Sequence, residues 1–230
     1  MIATLSRVLS SGDPVRKVLG SFSGTLGYVM TGLESGRSYS SVVREALRLG
    51  YTEPDPRDDL GGTDVARKAL ILARMMGRRA EMQDVEVEPL YPARELGPDT
   101  GISVPDFLAQ LPEQCDELYR EKIEQAKASG YVMRYVASIE EPSGPISVGL
   151  MALAADSPLG RLAGTGNMME LHTAVYGLQP LVLQGAGAGG AITAVGILAD
   201  MVEVAPFVWQ SVEEAAQLAS ADVEAAAAPV

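Results

Sequence analysis

Cysteine and histidine are almost absent from this 230-residue chain, which has one of each, Cys115 and His172. A single cysteine excludes an internal disulfide and suits a reducing compartment. Its neighbours in LPEQCDELY are acidic and disfavour a thiolate. A lone histidine, in the strand-like NMMELHTAVY, argues for a structural role and against zinc or His-dependent nucleophilic catalysis. Positive charge is also short: 18 Lys and Arg face 30 Asp and Glu, for a net charge of −12. Nucleic acid and anionic membranes are therefore poor partners. Although 47% of the residues are hydrophobic, no uninterrupted apolar run reaches membrane length, so a soluble globular protein is expected. The N-terminal MIATLSRVLSSGD lacks the shape of a signal peptide and reads as a short amphipathic helix stopping at Gly12-Asp13.

What the chain has in plenty is carboxylate, concentrated in GYTEPDPRDDLGGTDVARKALILARMM, from Gly50 to Met76. Glu53, Asp55, Asp58, Asp59 and Asp64 lie close together there, and Pro54 and Pro56 predict an extended start. Gly61-Gly62 then allows a turn, and Thr63 is a candidate N-cap for a helix from Asp64. That helix is apolar over most of its circumference, with one polar stripe at Arg67, Arg74 and Arg78. Lys68 lies off the stripe, in the column of Asp64, Ile71 and Met75, and is expected to be buried. Burial of an unpaired ammonium is costly, and Asp64, one turn earlier, is its natural partner. A buried lysine facing carboxylates suits proton transfer or substrate-ion binding. A structural salt bridge or a lysine snorkelling to water fits the helix position equally well. A Ca²⁺ or Mg²⁺ site fits poorly, because prolines interrupt the acidic run and no Glu closes it at EF-hand spacing. No metal is expected.

Elsewhere, residues 15–22 read as a strand, and Ser23 or Thr25 as the cap of a helix across Leu26–Glu34. Gly24 and Thr25 at that junction offer N–H groups and a hydroxyl to a small anion. A helix over residues 38–50 and a strand over 85–92 follow. Two further helices are expected at Pro105–Leu111 and Glu113–Ser129. YVMRYVASIE (131–140) and ISVGLMALA (146–154) alternate about EPSGP, a hairpin signal. Strands at 167–177 and 180–184 complete an α+β fold: a mixed sheet with helices layered on one face. Gly185, Gly187 and Gly190 match a dinucleotide fingerprint in form, but no βαβ unit continues after them. The acidic, Ala-rich end reads as a loose helix or a disordered tail.

SFSGTLGYV, GYTEPDPRDDLGGTDVARKALILAR and PLVLQGAGAGGAIT, in this order, resemble the homoserine dehydrogenase family. The likeness is greatest to the dehydrogenase half of bifunctional aspartokinase–homoserine dehydrogenases and runs from about Met1 to Val204. It implies NAD- or NADP-linked interconversion of L-homoserine and L-aspartate 4-semialdehyde, toward threonine, methionine and isoleucine. Carried over by position, Lys68 matches the family's proton-transferring lysine and Asp59 its acidic partner. Glu53 and Asp64 match carboxylates that hold the substrate's ammonium and hydroxyl end, and Gly24, Thr25 and Tyr51 line the substrate site. Gly189 matches a glycine near the cofactor. A homodimer through the sheet is implied, in the cytoplasm, or in the plastid stroma for a plant or algal chain.

In the family a Rossmann half, supplying most dinucleotide contacts, precedes the position of Met1. The resemblance therefore implies a fragment, inactive alone. Its pieces would be a remnant of the cofactor-domain junction (1–14), the substrate-binding, catalytic and dimerisation domain (15–184), the closing helix of the cofactor domain (185–205) and an acidic tail (206–230). Gly190-Ala191 stands where many relatives have Asn-Asp. The alternative from another class is a non-catalytic interaction subunit that modulates a full-length partner.

Overall fold

Six strands form one sheet in the order β2-β4-β3-β1-β5-β6. The strands are β1 (Val15–Ser21), β2 (Val85–Val87), β3 (Tyr131–Glu140), β4 (Ile146–Ala154), β5 (Gly166–Thr173) and β6 (Leu181–Ala186). All pairings are antiparallel except β2 with β4, so the sheet is mixed, as expected of an α+β chain. The computed structural model describes residues 1–226 and divides the chain after Gly187.

In the first unit one sheet face carries the helices. These are α1 (Ile2–Ser10), α2 (Gly24–Glu34), α3 (Tyr39–Arg48), α4 (Pro56–Leu60), α5 (Thr63–Met75), α6 (Ala93–Leu96), α7 (Val104–Leu111) and α8 (Glu117–Ala128). Their core joins Val18, Tyr135, Ile139, Met169 and Leu171 of the sheet to Leu26, Val42, Val65, Ala69 and Phe107. Leu5 of α1 is fully buried in that same core. Leu19, Leu159, Leu162 and Met168 cluster separately. β3 and β4 pair from Tyr131↔Ala154 to Ile139↔Ile146, the hairpin that their alternation announces.

Three local expectations change. The PDPRDDL stretch does not stay extended: Pro56 occupies the first turn of α4, where its missing N–H is harmless, and Asp55 caps it by accepting from Arg57 N. Helix α5 is capped by Gly62 at φ 73°, with no side-chain bond from Thr63, which is the first helical residue. Between α7 and α8, Pro112–Asp116 form a wider π-type turn rather than a break, so the chain stays helical from Val104 to Ala128.

The larger change concerns α5. Val65, Ala66, Ala69, Leu70, Leu72 and Ala73 face the core, whereas Asp64, Arg67, Lys68, Ile71 and Arg74 form its open face. Lys68 is 45% exposed and is not a buried lysine. A helix lying on one side of a sheet covers only about half its circumference, and here the apolar Ile71, 48% exposed, falls in the open half.

The second unit begins at Ala188 and consists of α9 (Gly190–Ala226), which continues through Pro206 instead of ending there. The expected tail is therefore helical as far as Ala226, and its last four residues lie outside the described ones. Asp200 and Glu203 interrupt its apolar sequence. Even so, Gly190–Glu214, at mean hydropathy 1.8, is long and apolar enough to cross a membrane by length and composition. A single helix has no core of its own, and side chains such as Val195, Leu198, Phe207 and Trp209 are exposed around it.

Candidate active site

Two hydrogen-bonded groups meet at the end of β1 where the chain enters α2. Ser23 caps that helix, its Oγ accepting from Leu26 N at 3.2 Å. The first N–H groups of α2 have no partners within the helix, a property of any helix start. Gly24 sits close under Thr165, whose carbonyl oxygen would lie 3.2 Å from a Cβ at position 24.

The first group centres on Thr25. Its Oγ1 donates to Tyr51 O at 2.5 Å and lies 3.1 Å from Asp59 Oδ1. Asp59 Oδ2 accepts from Glu53 N at 2.8 Å. Burial pushes the Asp59 carboxyl above its ordinary value, against the opposing bonds from Glu53 N and Thr25. The hydroxyl of Thr25 thus shares its one proton between two acceptors, Tyr51 O and Asp59 Oδ1. Tyr51 enters through its carbonyl, while its ring packs edge-on against Tyr28 with centroids 5.0 Å apart.

The second group centres on Lys68. Its Nζ lies 2.6 Å from Asp64 Oδ2 and donates to Phe22 O at 2.9 Å. The i,i+4 pair read from the sequence is therefore present, although both partners are half-open to water. The resemblance pairs Asp59 with Lys68. In this structure the ion pair of Lys68 is made by Asp64, and Asp59 serves Thr25 and Glu53 instead. Ser23, Glu53, Asp59 and Asp64 line one cleft of about 920 Å³, which brings the two groups together. Gly189, at φ 131°, belongs to the second unit. Gly185 lies in β6, antiparallel to β5, so the glycine run does not sit in a parallel βαβ turn.

Two further contributors escaped sequence reasoning. The backbone carbonyl of Phe22 is one, visible only once β1 and α5 are packed together. Arg57 is the other. Its buried guanidinium binds Asp55 at 2.7 Å and Ile102 O at 3.0 Å and stacks 5.3 Å from the Phe107 ring centroid. It thereby pins α4, and Asp59 with it, to the segment before α7. An arginine inside an acidic, proline-flanked run was the available signal. Cys115 and His172 lie outside this constellation. Burial pushes the Cys115 thiol up to about 12, and His172 Nε2 contacts Glu170 Oε2 at 3.1 Å.

The family model described as homoserine dehydrogenase matches residues 1–202. A homoserine dehydrogenase of Emericella nidulans is 41% identical over 211 residues, covering 89% of this chain and 57% of that protein. The bifunctional aspartokinase/homoserine dehydrogenase of Haemophilus influenzae is 43% identical over 202 residues, covering 88% of this chain and 24% of that protein. A crystal structure of a Candida auris protein of unknown function superimposes with a TM-score of 0.83 at 38% identity, over 90% of this chain and 57% of that one. The chain thus spans little more than half of its single-function relative and about a quarter of the bifunctional one.

Proposed function

The chain belongs to the homoserine dehydrogenase family, and from that premise we propose that it forms the substrate-binding and proton-transferring part of an oxidoreductase interconverting L-homoserine and L-aspartate 4-semialdehyde. In this reading the reaction serves threonine, methionine and isoleucine synthesis, in the cytoplasm or a plastid. The observation that carries the proposal is the position of Lys68, fixed by Asp64 and Phe22 O beside a cleft lined with carboxylates.

L-Homoserine is a zwitterion with a hydroxyl, and each part has a counterpart here. Glu53 and Asp59 take its ammonium, and the first N–H groups of α2 at Gly24 and Thr25 take its carboxylate. Lys68 accepts the hydroxyl proton on oxidation and returns it on reduction, with Asp64 stabilising the ammonium form. NAD or NADP, when bound, supplies hydride acceptance and donation. By the resemblance, Gly189 would lie near it. No parallel βαβ turn among the described residues cradles a pyrophosphate, so the chain by itself is proposed to be inactive. The reading includes a homodimer through the sheet.

The test joins this chain to the nucleotide-binding portion of a single-function relative and follows reduced nicotinamide by absorbance. Lys68→Ala is expected to lower turnover by ~10²-fold or more, the usual cost of losing a positioned proton-transfer group. Near-normal turnover in that variant would refute the assignment.

A further inference from the structure

We propose that the start of α5 is a binding site for a small carboxylate, walled by the Tyr91 hydroxyl and the Arg67 guanidinium. It lies in the same cleft as Glu53 and Asp59. It uses none of the side chains assigned to homoserine and does not depend on the oxidoreductase reading.

Helix α5, 13 residues long, starts without a side-chain cap, because Gly62 at the N-cap position has no side chain to offer. The first N–H paired inside the helix is that of Ala66, on Gly62 O at 2.9 Å. The N–H groups of Thr63, Asp64 and Val65 therefore remain free donors at the positive end of the helix. Any helix start leaves such groups, and water ordinarily takes them. Tyr91 makes this start different. It is only 7% exposed, yet its hydroxyl makes no hydrogen bond among the described residues. A buried phenol hydroxyl usually finds a partner.

Gly61 joins the two features. A Cβ there would lie 3.8 Å from Tyr91 Oη and 4.0 Å from Thr63 Oγ1, so both hydroxyls flank the glycine that leads into the helix. Gly61, Thr63, Val65, Arg67, Pro89 and Tyr91 all line the cleft of about 920 Å³, so the phenol opens on free volume. The tyrosine is held in that direction. Its ring packs edge-on against Phe107 with centroids 5.5 Å apart. Leu90 N donates to Leu60 O at 2.9 Å, and Leu90 O accepts from Tyr39 Oη at 2.5 Å. Arg67 stands one turn beyond Thr63, and helical side chains lean toward the helix start. Its guanidinium makes no ion pair among the described residues and lines the same cleft.

These donors select an oxyanion. The helix N–H groups, two hydroxyls and a guanidinium share one space, and burial raises the Tyr91 phenol, which stays a neutral donor. An ammonium would meet the positive end of a helix and an arginine. The carboxylates of the cleft narrow the choice. Asp64 is matched by Lys68 at 2.6 Å and Asp55 by Arg57 at 2.7 Å. Glu53 and Asp58 are left facing the cleft without ion pairs among the described residues. Their repulsion is about twice as large for a phosphate dianion as for a monoanion. A singly charged carboxylate, on an organic acid small enough to enter, is the form that fits.

Nitrogen–proton correlation spectra of the whole chain, at neutral pH and constant ionic strength, test the site with acetate as the probe. Acetate is expected to shift the backbone amides of Thr63, Asp64 and Val65 along a saturating curve in the millimolar range. Chloride should leave them in place, and phosphate should bind more weakly than acetate. Tyr91→Phe, which removes only the hydroxyl, should weaken acetate binding ~10-fold, the usual loss of one hydrogen bond to a charged group. Arg67→Ala, at an exposed position, should weaken it as well and serves if Tyr91→Phe does not fold. Asp58→Asn should strengthen it. A response that does not saturate or that chloride reproduces, tighter binding of phosphate, or unchanged affinity in these variants overturns the proposal. A titration with L-homoserine, read at Thr25, reports separately on the substrate reading. A homoserine response there without an acetate response at Thr63, Asp64 and Val65 defeats the carboxylate site alone, and the reverse defeats the substrate assignment alone.

Discussion

Replacing Arg57 by leucine isolates the interaction that holds the acidic bend in place. The guanidinium is only 6% exposed. Its Nε lies 2.9 Å from Asp55 Oδ1, its Nη2 2.7 Å from Asp55 Oδ2 and its Nη1 3.0 Å from Ile102 O. Breaking one partner of a buried ion pair costs about 3–5 kcal/mol, because the other charge is left behind. Here Asp55 remains 28% exposed and recovers some hydration, which moves the figure to the lower end. The Ile102 carbonyl loses its partner as well, an effect of about 1–3 kcal/mol that does not add fully. Leucine preserves most of the apolar packing against Phe107. Arg57→Leu is therefore expected to cost roughly 3 kcal/mol in urea unfolding, measured as a midpoint shift at unchanged slope. Adding Asp55→Asn should restore part of that loss by removing the stranded charge. The pH dependence has a definite sign. Hydrogen bonds from Arg57 hold the Asp55 carboxyl below its ordinary value. That contribution is present above the unfolded carboxyl's pKa, about 3.9, and is lost as pH falls through the folded value. The gap between wild type and Arg57→Leu should accordingly narrow in acid. A cost below about 1 kcal/mol at neutral pH, or strictly additive effects of the two substitutions, would show that the clamp does not hold α4.

Gly62→Ala places a methyl 2.1 Å from Tyr135 Oη in a residue at φ 73°, so a loss of about 1–3 kcal/mol is expected; an unchanged thermal midpoint would contradict it. Burial raises the Asp59 carboxyl, so its folded value lies above the unfolded one; ionisation opposes folding, and that penalty is relieved as pH falls through the folded value. Asp59→Asn, which mimics the protonated acid toward Thr25 and Glu53 N, should unfold later than wild type at neutral pH and show a flatter acid-to-neutral profile. Earlier unfolding at neutral pH would reverse the argument. Calorimetry of the chain alone with NAD or NADP should show no binding in the micromolar range, and micromolar affinity would mean that the dinucleotide site is more complete than proposed.

Local grammar was legible wherever a short segment decides the outcome. Alternation over residues 131–140 and 146–154 about EPSGP specified a hairpin because period-two patterning admits only one face toward the core. Ser23 was legible as a cap for the same local reason, and Asp64 with Lys68 as an i,i+4 pair. Properties set by what packs around a helix were not. The apolar Ile71 and Met75 made α5 look buried on all sides, but the sheet covers only one side and leaves Ile71 and Lys68 in the open half. Pro56 was read as extended chain and Pro112 fell between two expected helices, although a proline is tolerated in a first turn and a wider turn absorbs one between α7 and α8. The meeting of Thr25, Tyr51 O and Asp59 joins three separate segments, and only the family resemblance, not local pattern, had put these residues at one site.

The partial exposure of Lys68 removes the desolvation expected of a buried lysine and leaves its ion pair and its access to solution as what supports the proposed role. A lysine sealed inside a helix bundle could not reach a hydroxyl that arrives from solution. An ammonium carries three N–H donors. Asp64 Oδ2 and Phe22 O account for two of them, at 2.6 Å and 2.9 Å, and together they fix the direction of the third. With the group 45% exposed, that third position is the one open to a ligand. The carbonyl of Phe22 cannot take up a proton, so any transfer within this trio lies between Lys68, Asp64 and the incoming oxygen. In the proposed reaction Asp64, itself 60% exposed, would pass the proton on to water once the product has left.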